Sequence, residues 1–178
     1  MRNAWIVLLF YTGALQAQTY DLLLKGGHLI DAKNNIDEVM DIAITNGIVS
    51  RIDKQIDPSL SRKVIGLEGL YVAPGFIDMH VHVFHGNQPD AYIADGYTSV
   101  PPDGFTFRSG VTTVVDAGSA GLRNFALFKK QTIDRAQTRV LALLNIAGSG
   151  MSSRYDEQNV MDMNPQQAAY MIRKLYPE

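Results

Sequence analysis

Gly75-Phe76-Ile77-Asp78-Met79-His80-Val81-His82-Val83 decides how the rest of the chain is read. Pro74-Gly75 interrupts the pattern before it, and the apolar run that follows reads as a β-strand. Side chains on a strand alternate with period 2, so His80 and His82 fall on one side with Cα atoms about 6.6–7 Å apart. Both imidazoles can then lean toward one point and share a metal ion. Neutral imidazole is the commonest metal ligand, with bonds of about 2.0–2.1 Å to zinc. By the same alternation Asp78 joins the two histidines, while Ile77, Met79, Val81 and Val83 take the apolar side. The plainer alternative is a pair of strand histidines hydrogen-bonded to backbone.

Upstream, from Tyr20 to about Val72, short strands alternate with turns. Tyr20–Leu24 leads through Lys25-Gly26-Gly27 to His28–Asp31. Met40–Ile44 and Ile48–Ile52 flank Asn46-Gly47, a strong hairpin signal because both residues tolerate positive φ. Val64–Leu67 and Leu70–Ala73 continue the pattern. The expectation is a small antiparallel sheet.

Downstream the rhythm changes to strand–helix alternation. Val111–Asp116 is a β-branched run suited to a buried parallel strand. Leu122, Phe125, Ala126 and Phe128 recur at helical spacing within 122–136, and Val140–Ile146 reads as a third buried strand. Asn164 as N-cap and Pro165 at the first position open a last helix with Ala168, Ala169, Met171, Ile172 and Leu175 on its apolar face. Successive strand–helix units mean a parallel sheet, which a (β/α)8 barrel closes in about 250 residues, at least roughly 200. The chain has 178 residues. The expected fold class is therefore α/β: a small β-sandwich-like domain over 18–72, then the N-terminal part of a TIM-type barrel over 73–178, truncated after about three barrel strands.

Composition narrows the chemistry. A net charge of −2 gives no reason to expect nucleic acid as a partner, and the absence of cysteine excludes thiolate zinc sites and disulfides. Any metal must be held by His, Asp, Glu or a modified Lys. Arg2, the apolar run Trp5–Phe10 and Leu15-Gln16-Ala17 before Gln18 read as an export signal over 1–17, which makes the mature protein periplasmic or secreted. The apolar stretch is too short for a membrane span, which takes about 20 residues.

Gly75–His82, preceded by a β-rich segment with Gly-Gly and Asn-Gly turns, resembles the amidohydrolase superfamily. Gly110-Val111-Thr112-Thr113-Val114-Val115-Asp116-Ala117-Gly118-Ser119-Ala120-Gly121 and the strand end Leu144-Asn145-Ile146 resemble its amidohydrolase/deacetylase branch, relatives of dihydroorotases. The resemblance implies a (β/α)-barrel hydrolase behind a composite, urease-like β-domain. It implies one or two divalent metals, usually zinc, with His80 and His82 as ligands from the first barrel strand. The family's bridging carboxylated lysine, further histidines and catalytic aspartate come from later strands, so no catalytic residue is assigned here. An N-terminal fragment holding two ligands of such a site is expected to be inactive alone.

Asp78 is a candidate to support a metal-bound histidine rather than to ligate, since buried carboxylates need partners. Asp116, Ser119 and Asn145 stand at strand ends that face a barrel's active site, which makes them candidates for substrate contact. Capping of loop backbone is the alternative for all three. His85 reads as a solvated loop histidine, His28 as unrelated to the site, and Gly118 and Gly121 as turn residues. Tyr92, Tyr97 and Phe105, in the irregular loop between His85 and Arg108, either line the pocket or pack the loop down. The leading expectation is hydrolysis of a small N-acyl amide, cyclic amide or acyl ester by metal-activated water. A dihydroorotase- or hydantoinase-type cyclic amidase, or a non-catalytic secreted β-sheet binding module, are the alternatives. Oligomeric state is not legible.

Overall fold

The computed structural model describes residues 19–85 and 99–175. The export signal over 1–17 and the loop residues Tyr92 and Tyr97 lie outside the described residues. The chain divides into two compact units, one ending at Pro74 and the other beginning at Gly75.

In the first unit β1 (Tyr20–Asp31), β2 (Ile36–Thr45), β3 (Ile48–Asp53), β4 (Ser61–Gly66) and β5 (Tyr71–Val72) form one five-stranded sheet, ordered β3-β2-β1-β4 with β5 beside β1. The two expected strands around Gly26-Gly27 are one strand with a register shift between Leu24 and Gly27, where Gly26 adopts φ +72°. A bulge of this kind leaves an amide outside the ladder, and the Asp41 carboxylate accepts it: Gly26 N–H donates to Oδ1 at 2.8 Å. Asn46 and Gly47 turn at φ 53° and 74°, as the hairpin signal requires.

The sheet is mixed, not antiparallel. β1–β2 and β2–β3 are antiparallel, whereas β4 and β5 both run parallel to β1. Residues 54–60 carry the chain past β2 to the far side of β1, and alternation within a strand carries no record of such a crossover. Leu23, Ala43 and Ile56 form the buried centre of this unit.

In the second unit β6 (Phe76–Val81), β7 (Val111–Asp116) and β8 (Arg139–Ala142) form a parallel sheet in sequence order. Val81, Val114 and Val140 on one face pack with Phe84, Phe125 and Phe128 into the core. The helix expected over 122–136 is shorter: α1 spans Phe125–Phe128 and a π-helix, Lys129–Ile133, continues it. Its start is delayed because Arg123 N–H donates to the Gly148 carbonyl, which holds 121–123 against the loop after β8. β8 likewise stops at Ala142, although Leu143 N–H still donates to the Asp116 carbonyl. The last helix, α2 (Pro165–Leu175), is capped as expected by Asn164 Oδ1, which accepts Gln167 N–H at 2.9 Å. Of its expected apolar face Ala168 is buried and Met171 half-buried, while Ala169 and Ile172 are exposed.

Candidate functional site

His80 is the last residue but one of β6 and His82 follows the strand, with their ring centroids 5.5 Å apart and planes at 85°. The register around them is not that of a plain strand. Asp78 stands opposite Val114 and Val81 opposite Asp116, so β6 uses three residues where β7 uses two. That extra residue is a bulge, a device that re-aims side chains. Val81 and Asp116, both buried, share the core side, so His80 and His82 take the other face.

The bulge corrects the expected position of Asp78. It stands on the side of Val114, across the sheet from the histidines, because alternation slips between Asp78 and Val81. Its carboxylate accepts the His80 backbone N–H at 3.1 Å, so its tie to that histidine runs through the main chain and not the ring. On the histidine face Ile77, Met79, Leu141 and Leu143 are exposed, Met79 by 75%.

Ser119 and Asp116 are brought together with His82. The Ser119 hydroxyl lies 3.2 Å from His82 Nδ1. Ser119 is 4% exposed, and its own N–H donates to Asp116 Oδ1 at 2.7 Å. The other oxygen of Asp116 accepts Val83 N–H at 2.8 Å, and the residue has no exposed surface. With both oxygens engaged and the side chain sealed on the core side, Asp116 caps backbone. Asn145 also ties loops: its Nδ2 donates to the Gly118 carbonyl at 2.9 Å and its Oδ1 accepts Ala147 N–H at 3.0 Å. For Asp116 and Asn145 the capping alternative is what the geometry carries out. The His82–Ser119 contact was missed in the sequence because 37 residues separate the partners.

His85, expected in solvent, is 8% exposed. Its Nδ1 lies 3.1 Å from the Val83 carbonyl and 3.5 Å from the Thr132 hydroxyl of the π-helix, so core packing claims it. Phe105 packs down against the core of the second unit. Its loop is pinned by Asp103, which accepts the N–H groups of Gln137 and Thr138 and the Thr138 hydroxyl. Gly118 turns at φ +88° and Gly121 passes close to the Ala147 carbonyl, so both serve the loop geometry. His28 belongs to the first unit, where its Nε2 lies 2.6 Å from Asp37 Oδ1.

Among the described residues no group of three or more His, Asp or Glu side chains comes together to hold a metal ion. The donor set is the histidine pair. With Nδ1 of His82 turned to Ser119, Nε2 is left as its donor. Two imidazoles on one face fit a divalent ion as two of the four donors a tetrahedral site needs.

No family model matches the chain. Over 116 residues it is 33% identical to a deacetylase of Brucella anthropi, a match covering 65% of this chain and 27% of that protein. Over 91 residues it is 38% identical to a dihydroorotase of Trichlorobacter lovleyi, covering 45% of this chain and 21% of the other. Among solved structures, an adenine deaminase superposes with a TM-score of 0.64 at 31% identity, over 88% of this chain and 39% of that one. The fold is thus a mixed α/β fold with neighbours among the TIM-barrel amidohydrolases. Those relatives and neighbours are hydrolases of the amidohydrolase superfamily acting on carbon–nitrogen bonds, and this chain is their relative. It spans about a quarter of the length of the curated relatives it matches, 27% and 21%.

Proposed function

We propose that the whole protein is an exported, metal-dependent amidohydrolase of the deacetylase kind, hydrolysing a small N-acyl amide or acyl ester. The observation that carries this reading is the His80/His82 pair, re-aimed by the β6 bulge onto one face at the end of a parallel strand. His80 and His82 would hold a divalent metal, zinc being the choice for imidazole and oxygen donors in a chain without cysteine. Such an ion, when bound, lowers the pKa of water from about 15.7 to about 7 and polarises a carbonyl. The remaining ligands and the catalytic aspartate belong, in this reading, to the part of the relatives' length that these residues do not span. Ile77, Met79, Leu141 and Leu143 give the histidine face an apolar surround that further barrel strands would cover, keeping bulk water from the site. Residues 1–17 would direct export.

The dihydroorotase relative favours a second reading, a cyclic amidase. Metal analysis of the full-length protein, with a screen of N-acetyl amino acids, acyl esters, dihydroorotate and hydantoins, separates the two. His80→Ala and His82→Ala are each expected to remove bound metal and nearly all hydrolysis. Unchanged metal content in both variants would discard the assignment.

A further inference from the structure

We infer that Ser119 is a positioning residue for His82: its hydroxyl fixes the imidazole's orientation and accepts the Nδ1 proton, leaving Nε2 bare, and the buried Asp116 carboxylate holds both partners in place. The inference rests on the metal reading of His82 and adds a residue to it.

An imidazole has two nitrogens, and the hydrogen bond made by one decides which is left bare for a metal. Here Nδ1 stands 3.2 Å from Ser119 Oγ. With the proton on Nδ1 donated to that hydroxyl, Nε2 is the bare nitrogen. Ser119 cannot drift from the ring, because its N–H is held by Asp116 Oδ1 at 2.7 Å and its carbonyl by Met151 N–H at 3.0 Å. The histidine is held from its own side, since Asp116 Oδ2 accepts the N–H of the next residue, Val83, at 2.8 Å. On the other flank the Val81 carbonyl accepts Ala117 N–H at 2.8 Å. One fully buried carboxylate therefore grips both ends of the His82–Ser119 contact.

A serine serving only to cap its loop would need its backbone held and its hydroxyl anywhere. This hydroxyl is in a buried side chain, 4% exposed, and is turned to the ring. Among the described residues His80 has no comparable tether: its hydrogen bond is made by its backbone, to Asp78. The two histidines thus differ. His82 is preset, and His80 takes its ring orientation from the ion it meets.

The test uses the full-length protein and two readouts. Long-range proton–nitrogen NMR on the metal-free protein is expected to find neutral His82 as one tautomer, protonated at Nδ1, and Ser119→Ala is expected to mix the tautomers. Chelator competition is expected to show zinc bound about 10–100-fold more weakly in Ser119→Ala, the range for loss of a ligand's supporting hydrogen bond. A thermal midpoint like the wild type's in Ser119→Ala would show that the fold is intact. An unmixed tautomer and unchanged zinc affinity in Ser119→Ala, with metal still lost in His82→Ala, would overturn this inference alone. Metal retained in His82→Ala would overturn the metal reading of His82, and the positioning role with it.

Discussion

Asp116 Oδ2 accepts the Val83 backbone N–H at 2.8 Å, joining the end of β7 to the residue beside the site histidine. Its other oxygen takes Ser119 N–H, and neither amide has another acceptor among the described residues. Leaving a buried donor unsatisfied costs about 1–3 kcal/mol. Asp116→Asn keeps the shape but turns one acceptor into a donor facing an N–H, so a loss of at least that size is expected in urea unfolding of the intact protein. An asparagine variant as stable as the wild type would show that the carboxylate does not hold these loops.

The aromatic trio of the second unit makes a larger claim on stability. Phe128 is fully buried, its ring 5.0 Å from Phe84 and 6.1 Å from Phe125. Deleting such a side chain removes its transfer free energy and leaves a cavity, so Phe128→Ala is expected to cost about 3–5 kcal/mol. Phe107, half exposed on the same unit, supplies the control: Phe107→Ala is expected to cost well under about 1 kcal/mol. Equal losses in denaturant midpoints would mean that the core is not centred on this cluster.

How much of this was legible in the sequence follows the range of each signal. The Asn46-Gly47 turn, the β-branched run of β7 and the Asn164 cap are local, and each stands where the residues call for it. The parallel partners of β1 depend on a crossover that no residue of β1 records. The slip between Asp78 and Val81 was hidden because a bulge carries no residue signature in Met79-His80, and it moved Asp78 to the other face. The histidine pair survived the slip because Val81, paired with Asp116 on the core side, leaves both of its neighbours, His80 and His82, on the other face. Ser119 was read as a strand-end candidate for substrate contact or loop capping, and its contact with a ring 37 positions earlier has no local signature. The shortened helix after β7 depends on the hold of Gly148 on Arg123, another contact between distant segments.

Gly121 offers a steric prediction. A Cβ there would meet the Ala147 carbonyl oxygen at 1.9 Å, a backbone atom that cannot swing aside. Gly121→Ala is therefore expected to push apart the loops after β7 and β8 and to cost about 1–3 kcal/mol or more, as overpacking does. Gly104, with nothing within 4 Å of its would-be Cβ, is the comparison: Gly104→Ala is expected within about 0.5 kcal/mol of the wild type. Equal thermal midpoints for the two variants would contradict the close approach.

In the first unit acid should act through Asp41. Its carboxylate, 2% exposed, accepts Lys25 Nζ at 2.8 Å, Ile56 N–H at 2.9 Å and Gly26 N–H at 2.8 Å. Burial pushes its pKa up, but the Lys25 ammonium and the two amides together outweigh burial and hold it below the ordinary 3.8. The unfolded chain therefore takes up the proton first as pH falls. The stability Asp41 supplies is complete above the unfolded value and is lost as pH drops through the lower folded value. Asp103 and Asp162 are shifted in the same direction, so a bare acid titration would not isolate Asp41. Asp41→Asn does: it is expected to lower the urea midpoint at about pH 7, with the gap to wild type narrowing as pH falls below the ordinary carboxylate range and the native carboxylate is protonated. A gap that stays constant over that fall would assign the loss to packing and not to the charge.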